Sequence, residues 1–160
     1  MKPEDKIVSL SEAVRLCAQW HAHGQSLVFT NGCFDILHRG HLDYLFKAAA
    51  LGSRLIIGLN TDASVRALKG PERPVNRQED RAFALACLSC THAIVLFSEE
   101  TPAQLIEALK PNVLVKGGDY TLDRIVGAQE TLQRGGRVEV IPFVEGYSTT
   151  GLIDKIRKAL

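Results

Sequence analysis

Short apolar runs alternate with longer stretches in which apolar residues recur at helical spacing. The first helical stretch opens at Ser9, with Glu12 at capping-box distance, and runs through Leu10, Ala13, Val14, Cys17 and Trp20. It predicts a helix to about Ala22, closed by Gly24. LVFT, Leu27–Thr30, is short and bounded by turn residues, as a buried strand should be. From His41 the stripe Leu42, Leu45, Phe46 and Ala49 predicts a helix that Gly52 stops. RLIIGLN, Arg54–Asn60, is a second strand, followed by a short helix, Thr61–Leu68, and a longer one, Gln78–Leu88. Between them GPERPVN, Gly70–Asn76, is the most loop-like segment and a candidate mobile loop.

The alternation continues to the end. AIVLF, Ala93–Phe97, is a third strand. Thr101, Pro102 and Gln104 supply an N-cap, a first-turn proline and a capping-box partner for a helix to Lys110. VLVKG, Val113–Gly117, is a fourth strand, Gly127–Arg134 a helix, RVEVIPF (Arg137–Phe143) a fifth strand, and Thr150–Ala159 a last helix. The strands are continuous apolar runs, as expected when helices cover both faces of a parallel sheet. The expected fold is α/β: an open, Rossmann-like sandwich of about five parallel strands with helices on both faces. In such sheets ligands bind beyond the C-terminal ends of the strands, and the segment after Leu27–Thr30 is one such end.

Composition bounds this picture without changing it. The 160 residues suit a single domain, with 1–24 as a helical extension and 26–160 as the core. A net charge of +1 gives no electrostatic case for nucleic acid or a membrane surface as the main partner. No run of about 18 apolar residues occurs. The opening MKPEDKIVSLSE carries acids, unlike a secretory leader, so a cytoplasmic location is expected. Cys87 and Cys90 form a C-x-x-C with His92 close behind, but zinc would need a second ligand pair, which is missing. With Cys17 and Cys33 they are expected to be buried thiols in a reducing compartment rather than a metal site or a redox pair.

Candidate chemistry gathers at two strand-to-helix turns. Neither a G-x-x-x-x-G-K-[ST] loop nor a G-x-G-x-x-G fingerprint is present. The first turn reads TNGCFDILHRGHLDYL instead, placing His38 and His41 at the start of a helix. Free backbone N–H groups and the positive end of the helix dipole favour a phosphate there, and both imidazoles could donate to the same anion. Gly40 and Asn31-Gly32 would let a nucleotide approach the backbone. The bland alternatives are surface histidines, a metal pair, or satisfied core residues. GYSTT opens the last helix with Ser148, Thr149 and Thr150. A plain N-cap needs one hydroxyl, whereas three suit a polyphosphate. Lys47, further along the first motif's helix, could reach back over its opening, and Arg66, Lys69 and Arg73 could complete a ring of cations.

These motifs resemble the nucleotidyltransferase superfamily marked by [HT]-x-G-H after the first strand and S-[ST]-[ST] at a late helix. The likeness covers most of residues 26–158. Within it, TNGCFDILHRGHLDYL, LNTDASVRALKG, RPVN, LVKGGDY and GYSTT look most like the adenylyltransferases of D-glycero-β-D-manno-heptose 1-phosphate. In many bacteria that domain is fused behind a sugar kinase, and this chain resembles the free-standing form. The resemblance implies ATP and heptose 1-phosphate as substrates, ADP-heptose and pyrophosphate as products, and a role in the lipopolysaccharide inner core. It implies that His38, His41 and Lys47 are catalytic. Thr30, Asn31, Gly32, Phe34, Gly40, Lys116, Gly117, Gly118, Asp119, Ser148, Thr149 and Thr150 would then hold the nucleotide. The acceptor would fall to Asp35, Arg66, Lys69 and Arg73, although Asp35 is read first as orienting the turn and only second as touching the acceptor. Mg²⁺ is expected to arrive with ATP rather than in a protein cage, and a homo-oligomer is expected. The alternatives are cytidylyl transfer to glycerol 3-phosphate or another small phosphate, guanylyl transfer to a heptose phosphate, and a binding-only domain. A tRNA synthetase fragment is disfavoured by the short chain and by the lack of a K-M-S-K-S segment.

Overall fold

A computed structural model describes residues 2–160. Five strands, β1 (Leu27–Gly32), β2 (Arg54–Asn60), β3 (Ala93–Phe97), β4 (Val113–Gly117) and β5 (Arg137–Ile141), form one parallel sheet in the order β3-β2-β1-β4-β5. Among the described residues, seven α-helices connect or flank them: α1 (Leu10–Ala22), α2 (Arg39–Ala49), α3 (Asp62–Lys69), α4 (Gln78–Ala86), α5 (Ala103–Leu109), α6 (Ala128–Gln133) and α7 (Thr149–Ala159). Two 3-10 turns, Pro3–Lys6 and Leu122–Arg124, were not legible in the pattern.

Side-chain alternation along β1 shows why its run is apolar throughout. Leu27 and Phe29 pack with Ala13 and Cys17 of α1 and Leu105, Ile106 and Leu109 of α5. Val28 faces the other way, toward Leu45 and Ala48 of α2 and Leu85 of α4. Each face thus carries its own core, and the sheet is covered on both sides. From β1 the chain builds outward through β2 to β3, then returns to place β4 on the other side of β1. That reversal opens a crevice at the C-terminal ends of β1 and β4.

Several boundaries shift for identifiable reasons. β1 extends to Gly32, which pairs with Leu59. β5 stops at Ile141, because Pro142 has no N–H with which to extend the ladder, and Phe143 is freed from the strand. The expected Thr101 cap is not made: Pro102 is the N-cap residue of α5, without a side-chain cap bond. α7 starts one residue early, with Ser148 as its cap. The Gly70–Asn76 loop is tied down rather than loose. The Asp35 carboxylate accepts from the backbone N–H of Val75 and Asn76, each at 2.9 Å, and from Arg73 Nε at 2.6 Å. The thiols also differ from expectation. Only Cys17 is buried, whereas Cys33 and Cys90 are half-buried and Cys87 is exposed.

Candidate active site

The crevice is a cleft of about 720 Å³. His38 and His41 line one side, and Ser148, Thr149 and Thr150 line another. His38 is the N-cap residue of α2, and His41 lies in its first turn. Their rings stack with centroids 3.8 Å apart and planes 21° apart. Phe34 meets His41 edge-on at 5.3 Å, and Tyr147 lies nearly parallel to His38 at 6.4 Å. Phe34 itself is buried with φ +43°, a left-handed conformation that bulky residues seldom adopt. Such strain gathers where function fixes a geometry.

Burial pushes His41 down to about 4, helped by the neighbouring His38 ring and opposed by the Ile36 backbone. Burial also lowers His38. Both rings are therefore neutral at pH 7, with one N–H each to donate. His38 Nδ1 and His41 Nδ1 are buried without a hydrogen-bond partner among the described residues. Unsatisfied buried nitrogens are costly, and both belong to residues that line the cleft. Gly40 also lines the cleft, and packing within the chain gives the glycine a further reason. A Cβ there would meet Tyr147 Cβ at 3.0 Å and the His38 ring at 3.1 Å, so the chain itself fills that space.

The other predicted residues divide. Asn31, Gly32, Phe34, Lys116, Gly117, Lys69 and Arg73 also line the cleft. Lys116 is half-buried, which lowers its pKa, and its ammonium lies 5.7 Å from the Tyr120 ring. Five residues are placed elsewhere. Thr30 is fully buried, its hydroxyl 2.6 Å from Tyr44 Oη, which in turn donates to the Val115 carbonyl. Its hydroxyl is used in joining β1, α2 and β4. Gly118 is buried behind the Phe143 ring, which a Cβ there would meet at 2.9 Å. Arg66 and Asp119 are exposed and outside the cleft lining. Lys47 pairs with Asp43 at 2.7 Å, one helical turn back on α2, and also lies outside it. A local i,i+4 partner competes successfully with the longer reach that the sequence suggested.

Asp35 lines the cleft, but its carboxylate is committed to the loop. Burial alone would raise it, yet the Asn76 and Val75 amides and the Arg73 guanidinium hold it below the usual carboxylate range. Those bonds orient the turn, the first of the two roles the sequence offered, and leave the carboxylate engaged with the loop rather than turned to an acceptor. Ser148 Oγ accepts from the Gly151 N–H at 3.0 Å, a plain N-cap, while Thr149 and Thr150 make no such cap. Among the described residues no group of three or more His, Cys, Asp or Glu could hold a metal. No helix among them is long and apolar enough to cross a membrane.

Sequence reasoning missed Tyr44, Tyr147 and Phe143. Tyr147 was within reach, because it sits inside the quoted GYSTT, and Tyr44 follows His41 by three on the same helix. Phe143 was hidden by its assignment to a strand.

The cytidylyltransferase-like family model matches residues 29–155. A bifunctional protein HldE from Mesorhizobium japonicum is 54% identical over 154 residues, covering 96% of this chain and 31% of that protein. The bifunctional protein HldE of Magnetococcus marinus is 51% identical, covering 95% and 31%. The chain thus spans about a third of the length of the curated relatives it matches. Among solved structures, pantothenate synthetase from Thermus thermophilus superposes with a TM-score of 0.64 at 16% identity, covering 96% of this chain and 70% of that one. The lipopolysaccharide core biosynthesis protein from Thermoplasma volcanium gives 0.61 at 24%, covering 78% and 100%. At such identities the structures establish a shared fold. The family model takes in both strand-to-helix turns that build the cleft, and the chain belongs to the cytidylyltransferase-like family.

Proposed function

We propose that the chain transfers the adenylyl group of ATP to D-glycero-β-D-manno-heptose 1-phosphate, releasing pyrophosphate and forming ADP-heptose for the lipopolysaccharide inner core. The observation that carries the transfer chemistry is the stacked His38–His41 pair at the N-terminus of α2, in the lining of the cleft. The choice of acceptor is supported by the motif resemblance and by the identity to the HldE relatives.

An acceptor phosphate oxygen attacks the α-phosphorus in line. A new P–O bond forms as the bond to the β-phosphate oxygen breaks, and pyrophosphate leaves with the electron pair. The acceptor is already an anion, so no general base is required. The task is to hold two polyanions together and stabilise charge at the α-phosphorus. His38 and His41 donate to the α-phosphate, and the N-terminus of α2 adds its dipole. The hydroxyls of Thr149 and Thr150 and the amides that open α7 receive the outgoing β- and γ-phosphates. Lys116, Lys69 and Arg73 provide positive charge around the cleft. Magnesium would arrive bound to the nucleotide and neutralise phosphate charge there. The proposal places the protein in the cytoplasm, as a homo-oligomer, acting on small molecules rather than nucleic acid or membrane.

A second reading, cytidylyl transfer to glycerol 3-phosphate or another small phosphate, is favoured by the family model's own description. Pyrophosphate release decides between them. ATP, CTP and GTP are crossed with both anomers of heptose 1-phosphate and with glycerol 3-phosphate. Turnover confined to ATP and the β-anomer is the expected result. Turnover with CTP and glycerol 3-phosphate would keep the machinery and discard the sugar. Binding of ATP with no turnover in any pair would refute the transfer to heptose.

A further inference from the structure

Arg81 is the largest fully buried side chain among the described residues, although it lies outside the cleft. It sits on α4 among Ala82, Leu85 and Ala86, where an apolar residue would pack without desolvating a charge. A buried ion pair is a weak stability device, because well-packed apolar replacements are often neutral or better. What the guanidinium gains is reach in three directions at once. Nη1 donates to the Cys33 carbonyl at 2.6 Å, Nε to the Asn76 carbonyl at 3.1 Å, and Nη2 to Asp62 Oδ1 at 2.8 Å.

Each partner leads to a different wall of the cleft. Cys33 immediately precedes Phe34, whose left-handed backbone sets its ring against His41. Asn76 ends the loop that Asp35 holds, and that loop carries Arg73. Asp62 lies in the first turn of α3, the helix that ends in Lys69. We propose that Arg81 is a positioning residue for nucleotidyl transfer, locking the β1–α2 turn, the Gly70–Asn76 loop and the start of α3 into one register. A lysine cannot take its place, because a single ammonium lacks the planar fork that meets three fixed acceptors. The inference rests on the transferase reading for its kinetic consequence, but its geometric consequence can be read without substrate.

The test compares the wild-type chain with Arg81→Met and Arg81→Lys. Urea unfolding is followed alongside pyrophosphate-release kinetics and NMR titration of the histidine rings. In variants that remain folded, kcat is expected to fall by about 10²-fold, the scale of small misplacements, with a smaller change in the KM for ATP. The His41 ring is expected to titrate closer to an ordinary histidine as its packing loosens. Arg81→Lys, which keeps the charge, should behave like Arg81→Met in both readouts. If Arg81→Met does not fold, Arg81→Lys carries the same comparison. A folded variant with wild-type kcat and an unmoved His41 titration would overturn the proposal. So would a full recovery of both in Arg81→Lys, because charge alone would then suffice. Absence of turnover in the wild-type chain would count against the transferase reading instead, and the ring titration would still decide the positioning role.

Discussion

At the β1–α2 turn, Phe34, Asp35 and Tyr44 are buried, and His41 is packed between Phe34 and His38. Across the cleft, Tyr147, Ser148 and Thr150 are exposed, and no residue of α7 is buried. Both regions are strand-to-helix turns that offer helix donors to an anion. They differ in what holds them before a ligand arrives. The first is fixed by the Asp35 bonds, by Arg81 and by the core beneath α2. The second depends on a Ser148 cap and surface packing. A preorganised wall suits the atom where charge develops in the transition state, and a looser wall suits a leaving group that must depart.

The comparison breaks first at Asp35. Asp35→Ala strips the partner from Arg73 and from two amides, and should lower the unfolding free energy by about 3–5 kcal/mol in urea titration. A loss below about 1 kcal/mol would show that the turn is not held through this carboxylate. His41→Ala should leave folding much less affected while cutting kcat by about 10²–10³, roughly 3–4 kcal/mol at the transition state. Near-normal turnover in that variant would dismiss the phosphate cradle.

Acid should act on the tight wall selectively. The unfolded His41 takes up a proton near 6.5, whereas the folded one does so only at about 4. Stability is therefore full above pH 6.5 and is lost progressively between there and about pH 4, with His38 acting in the same sense. Denaturant midpoints across pH 7.5 to 4 measure this, and the slope should flatten in His41→Ala. An equal slope in the variant would place the pH sensitivity elsewhere.

The looser wall should respond in binding. Ser148→Ala combined with Thr149→Ala is expected to weaken ATP binding by roughly 1–2 kcal/mol, combining a lost cap with a lost donor. Calorimetry reads it, and an unchanged affinity would remove the hydroxyls from the phosphate path. The smallest effect is expected at Lys47. Lys47→Ala breaks only a partly exposed i,i+4 pair, and should change stability by about 0.5 kcal/mol or less, with turnover close to wild type. A large kinetic loss would mean that the lysine leaves Asp43 when substrate binds.

Much of this molecule could be read along the chain. The five strands, the helices between them and the position of His38 and His41 at the mouth of α2 all follow from periodicity, caps and turn residues, because these act over a few neighbouring positions. The same local logic placed Ser148, Thr149 and Thr150 at the opening of α7. What only the tertiary structure decided is which polar side chains are already engaged. Thr30 looked like a cleft residue and is bonded inside to Tyr44, 14 positions away. That Asp35 orients its turn could be read, but not that its partners are the amides of Val75 and Asn76, 40 and 41 positions away. Arg81, which no motif singles out, joins three segments from within the core. A hydrogen-bond partner distant in sequence leaves no trace in local spacing, and burial in this crowded turn, rather than residue type alone, determines that the two histidines are neutral.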